Sequence, residues 1–94
     1  MKTEWRKELY KLILSAKDEK ETERLLEGLL TPAELKEFIK RWQIVKLLIE
    51  KKTQRFVKES VGVSIATVIR GAREVKYGNG IFQKFYSRLY PKNT

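Results

Sequence analysis

Apolar residues along this chain recur at three-to-four spacing almost throughout, and that period predicts helices. Trp5, Leu9, Leu12, Ile13 and Ala16 share one face of a first helix. Asp18 with Glu21 has the form of a capping box and opens a second, charged helix that ends in Leu25, Leu26, Leu29 and Leu30. Thr31-Pro32-Ala33-Glu34 is the clearest local signal. Thr31 caps, Pro32 fits a first helical position that needs no N–H, and Glu34 can reach back. The third helix carries a stripe of Leu35, Phe38, Ile39, Trp42, Val45 and Ile49, widened by Ile44, Leu47 and Leu48 beyond what a small monomer would cover. Part of that surface is expected to meet a second subunit. Lys51 and Lys52 suit the negative helix end.

Residues 53–76 read as a helix-turn-helix. Thr53 is a good N-cap, and Val57 and Val61 lie on one face of a short helix from Gln54 to Val61. Gly62 supplies the positive φ of a sharp stop, with Val63 tucking in after it. From Ser64 a second helix starts, with Ile65, Val68, Ile69 and Ala72 at helical spacing and Thr67, Arg70, Arg73 and Glu74 elsewhere on its surface. The run Val61, Val63, Ile65, Thr67, Ile69 also alternates as a strand would, but no second alternating segment exists to pair with it. Tyr77-Gly78-Asn79-Gly80 is a turn, not a phosphate loop, since it has neither the dinucleotide nor the P-loop spacing. A last helix with Ile81, Phe82, Phe85, Tyr86, Leu89 and Tyr90 ends at Pro91, its aromatics assigned to the core or a dimer seam. The expected fold class is all-α: six helices, no sheet, one domain over residues 1–94.

Composition narrows the function. A 94-residue chain buries a modest core, so dimerisation would help it. With neither His nor Cys, the commonest general base, the commonest metal ligand and thiolate chemistry are all missing. Glu19, Glu21, Glu23 and Glu27 read as solvated helix charges, and no carboxylate pair is placed in a common cleft, so no catalytic residue, metal or cofactor is expected. Apolar runs are too short for a membrane span or signal peptide, which gives a soluble, cytoplasmic expectation. Residues 1–28 are neutral, with seven basic and seven acidic side chains, so the whole net charge of +9 lies in residues 29–94. Positive charge concentrated around a reader-like motif favours a polyanionic partner, and no segment has the continuous basic and apolar faces of a membrane-surface helix.

Leu29-Leu30-Thr31-Pro32-Ala33-Glu34, then Arg41, then Gln54-Arg55, then the run from Gly62 to Gly71 with Ile65-Ala66-Thr67 and Arg70-Gly71, resemble the Trp repressor family from about Leu29 to Lys76. The resemblance implies an intertwined all-helical homodimer that binds operator DNA through paired helix-turn-helix units, with tryptophan as corepressor in the type member. Carried over by position, Arg41 and Arg70 match the arginines that sandwich the ligand's indole, Arg70 also meeting its carboxylate. Leu30, Thr31, Thr67 and Gly71 match other pocket positions, and Glu74 stands beside the place of the ligand's amino group, where the type member has serine. Guanidinium planes suit such a ligand, since they stack on aromatic rings and grip carboxylates. The alternative stays open that either arginine pairs with a glutamate or a phosphate, Arg41 with Glu37 for example. Other departures are Ile69, which replaces a polar residue, and the link Lys51-Lys52, one residue shorter and without the usual glycine.

The resulting expectation is a homodimeric, sequence-specific DNA-binding transcriptional regulator of the repressor kind, with L-tryptophan as the candidate corepressor. Gln54, Arg55 and Lys58 would approach phosphates. The second helix, with Ser64, Ile65, Ala66, Thr67, Ile69, Arg70 and Arg73, would enter the major groove of duplex DNA, Ile65, Ala66 and Thr67 near its start meeting base edges or thymine methyls, on half-sites about 34 Å apart. Two alternatives are a ligand-independent regulator on the same scaffold and a helical protein-interaction module.

Overall fold

The computed structural model describes residues 2–92; Met1, Asn93 and Thr94 lie outside the description. Six helices follow in the expected order: α1 (Thr3–Leu14), α2 (Glu19–Leu29), α3 (Pro32–Ile49), α4 (Gln54–Val61), α5 (Ile65–Tyr77) and α6 (Ile81–Leu89). Among the described residues there is no strand. The alternating run is split, Val61 closing α4 and Ile65 opening α5.

Four helix starts are fixed by their own side chains. Asp18 Oδ1 accepts the Glu21 N–H at 2.8 Å, and Glu21 Oε1 accepts the Lys17 N–H at 3.0 Å. At α3 the box is reciprocal: Thr31 N–H donates to Glu34 Oε1 at 2.9 Å and Glu34 N–H to Thr31 Oγ1 at 3.2 Å. The Thr31 amide, and next its hydroxyl, hold the Glu34 carboxyl below the usual carboxylate range. Thr53 and Ser64 cap α4 and α5 by accepting from Phe56 N–H at 3.1 Å and Thr67 N–H at 3.2 Å.

The chain divides into two compact units, residues 1–37 and 38–94, with the boundary inside α3. In the first unit neither α1 nor α2 has a fully buried residue, and the apolar side chains Trp5, Leu9, Leu12, Ile13 and Leu14 of α1 are exposed. Leu25, Leu26, Leu30 and Leu35 are half-buried.

In the second unit the core is Ile44, Val57 and Val68, with Leu47, Leu48, Val61 and Val63 packed against it. Val45 is buried as well. This corrects the expected division of labour along α3. Ile44, Leu47 and Leu48, read as surplus, support the helix-turn-helix, while Phe38 and Ile39 from the main stripe are exposed. The close approach of α5 explains the choice: a Cβ on Gly71 would lie 2.6 Å from Ile44 Cγ2, so the bare glycine lets the Ile44 side chain in.

α3 closes by a Schellman arrangement in which Lys51 N–H bonds Leu48 O and Lys52 N–H bonds Leu47 O, both at 3.0 Å. Lys51 itself sits at φ 67°, the left-handed position that glycine usually takes. The link that lacks a glycine therefore keeps glycine's conformation. α6 is tied at two points within this unit. Gln83 Nε2 donates to Val75 O at 3.0 Å and Tyr86 OH to Glu50 Oε2 at 2.8 Å. Of the expected aromatic stripe, Phe82 and Tyr86 are half-buried, whereas Phe85, Leu89 and Tyr90 are exposed.

Candidate nucleic-acid interface

The site is built on α4, the turn at Gly62 and α5. Val57 and Val68, both 0 % exposed, pin the two helices to the same core. Gly62 takes φ 76°, and the N–H groups of Gly62 and Val63 bond Lys58 O at 2.9 and 3.3 Å, ending α4 abruptly. The backbone then turns into α5 at Ser64, whose Oγ accepts Thr67 N–H and lies 2.9 Å from the Thr67 hydroxyl.

Val68, Gly71, Ala72 and Val75 make up the packed side of α5. The rest of the helix surface presents two exposed rows at four-residue spacing: Ile65, Ile69 and Arg73 flanking the packed side, and Ala66, Arg70 and Glu74 opposite it. Ile65 and Ile69, placed in the expected apolar stripe, therefore lie outside the core, while Val68 belongs to it and Ala72 is half-buried. Thr67, expected on the surface, is half-buried and engaged with Ser64.

On α4, Gln54, Arg55 and Lys58 are exposed. Arg55 Nε meets Glu59 Oε1 at 3.2 Å, the one ion pair among the described residues. Both partners are well solvated, so a phosphate can compete for the guanidinium at small cost. Phe56 was not singled out from the sequence. It is exposed on α4, with the Lys52 ammonium 5.5 Å from its ring centre. Its position off the Val57–Val61 face was the available signal.

The candidate ligand residues divide between the units. Leu30 and Thr31 belong to the first, where the Thr31 amide and hydroxyl serve the cap of α3. Arg41, Thr67, Arg70, Gly71 and Glu74 belong to the second. Arg41 and Arg70 are exposed and take part in no ion pair among the described residues, so the suggested Arg41–Glu37 bridge is not formed. Arg70 and Glu74, one turn apart on α5, are likewise unbridged. Gly71 has a packing role, since Ile44 fills the space beside it. A shallow depression lined by Ala16, Lys17, Asp18, Thr22 and Leu26 contains none of the candidates. No described helix is long and apolar enough to cross a membrane.

A family model described as Trp repressor protein matches residues 3–90, well beyond the stretch from Leu29 to Lys76 that carried the resemblance. The uncharacterized protein YerC of Bacillus subtilis (strain 168) is 30 % identical over 87 residues, which cover 93 % of this chain and 84 % of that protein. A Trp operon repressor homolog of Vibrio vulnificus (strain YJ016) is 33 % identical over 75 residues, 79 % of this chain and 72 % of its own. Among solved structures, a TrpR like protein from Eubacterium eligens ATCC 27750 matches with a TM-score of 0.90 and 31 % identity, covering 99 % of this chain and 96 % of that one.

Proposed function

Since the chain belongs to the Trp repressor family, a family of transcriptional regulators and not of enzymes, we propose that it is a homodimeric repressor that binds specific duplex DNA through the paired α4–α5 units of its two copies. The observation that carries this reading is the exposed side of α5, which presents Arg70 and Arg73 against the single acidic Glu74 on a helix whose other side is locked by Val68 and Gly71. The segment 29–94 brings fourteen basic against five acidic side chains, which draws it to a polyanion. α4 lies across the backbone with Gln54, Arg55 and Lys58 at phosphates, and α5 enters the major groove. In the first unit the exposed apolar residues of α1, and in the second Phe38 and Ile39 on α3, are each apolar surface for a second copy to cover.

Selection from a random duplex library followed by footprinting tests the reading. One enriched sequence with two protected half-sites about one helical turn apart is the expected result. Equal affinity for all duplexes at moderate salt, with no protected site, overturns it. Arg55→Ala or Lys58→Ala should weaken every sequence alike and reduce the salt slope by about one.

Arg41 and Arg70, solvent-exposed and without ion-pair partners among the described residues, support an effector that combines an aromatic ring with a carboxylate, for which L-tryptophan is the first probe. Calorimetric titration of the dimer should give saturable heat that Arg70→Ala abolishes. No heat at two temperatures would leave a ligand-independent repressor.

A further inference from the structure

We propose that Ile69, in a row with Ile65, is a specificity-determining residue that reads thymine 5-methyl groups, so that each half-site carries T·A pairs opposite this row. The inference rests on the DNA-binding reading above and names what that site selects. Ile65 and Ile69 are 43 % and 41 % exposed, one turn apart on the flank of α5 beside its packed side. The row runs on into the exposed cation Arg73, with Arg70 and Lys76 on the same helix. A single exposed isoleucine is ordinary. Two in register along one exposed row that runs on to Arg73, on a helix that also presents Arg70, put apolar surface where a polyanion is drawn in.

On the major-groove edges of B-DNA the one apolar group is the thymine methyl. A G·C pair has no methyl to offer this row, so its polar edge would lose water with no apolar contact in return. The polar groups at the start of α5 are meanwhile turned to local use, Ser64 Oγ taking the Thr67 N–H and pairing with the Thr67 hydroxyl. Isoleucine in a helix keeps largely to one χ1 rotamer, so this row loses little freedom on contact.

Deoxyuridine pairs as thymidine does and lacks only the methyl, which makes it the probe. The enriched duplex is resynthesised with deoxyuridine at one thymine at a time, and affinities are measured for the wild-type protein, Ile69→Ala, Ile65→Ala and Ile69→Val. At one or two positions in each half-site the exchange should weaken wild-type binding about fourfold, the ratio expected for one buried methyl. Ile69→Ala should abolish the effect at its position and Ile69→Val should retain it, which separates a lost contact from a damaged fold. Equal affinity for every substituted duplex, with enrichment intact, overturns the methyl reading and leaves DNA binding standing. Sensitivity unchanged in both alanine variants overturns the assignment to this row. Failure of the library to enrich any duplex overturns the DNA-binding reading, and this inference with it.

Discussion

Gly71 and Lys51 show how far single residues set this fold. The sequence resemblance gave Gly71 a place in a ligand pocket, but the atom that answers its missing Cβ is Ile44 Cγ2, on a side chain only 2 % exposed. A β-branched side chain in a packed core cannot swing away, so Gly71→Ala should destabilise the protein by about 1–3 kcal/mol, despite alanine's better helix propensity. Denaturant melts of Gly71→Ala, Ile44→Ala and the double variant should show the pair to be less harmful together than the sum of the two. A glycine inside a strong helical pattern was the signal for close packing, and the partner was illegible because it lies 27 positions earlier in the chain. Lys51 works the other way. The missing glycine in the link suggested an altered junction, yet the backbone adopts φ 67° with a lysine side chain. Lys51→Gly should therefore stabilise by about 0.5–1 kcal/mol, the relief of left-handed strain net of the extra freedom given to the unfolded chain, measurable as a raised denaturation midpoint.

At the scale of helices, what was legible was what is local. Asp18, Thr31, Thr53 and Ser64 accept amides three positions on, and Gly62 donates its own N–H to a carbonyl four positions back, so each of these boundaries could be read before any tertiary contact was known. Thr53→Ala should cost about 1 kcal/mol by uncapping α4, read from thermal melts against the wild type. The faces of α3 were less legible because its apolar stripe is wide, and a wide stripe does not say which edge meets α4 and α5. The ties of α6 through Gln83 and Tyr86 were missed because a polar atom inside an aromatic stripe has no periodic signature. Two of these hydrogen bonds titrate. Glu34, held low, contributes stability above the ordinary carboxylate pKa that is lost as pH falls through its depressed value. Tyr86 is held high by its hydrogen bond to Glu50, then by burial and by the negative charge of Glu50 and Tyr90. Its contribution is present below the ordinary phenol pKa and disappears as pH rises through the raised one. Melts across pH should accordingly show a shallower acid limb in Glu34→Gln and a shallower alkaline limb in Tyr86→Phe.

The whole molecule has four fully buried hydrophobic residues among those described and many more apolar side chains in the open, a proportion that suits a chain completed by its own copy. If so, thermal midpoints should rise with protein concentration, and sedimentation should show one dimeric species at micromolar concentration; a midpoint independent of dilution, with a monomer in the centrifuge, would rule out the homodimer. The charge belongs to this scale too. It was legible from the sequence as a neutral residue span 1–28 beside a basic one, whereas the rows on α5 that the charge serves were fixed only when Val68 and Gly71 took the inner side. The exposed face of α1 bears on how the protein is made. During translation α1 leaves the ribosome before the helices that follow, and the 75 residues from Ser15 to Leu89 take roughly 4–15 s to synthesise. Trp5, Leu9, Leu12 and Ile13 are therefore made and exposed before the later helices exist, and in the homodimer proposed above a second copy is the surface that relieves them.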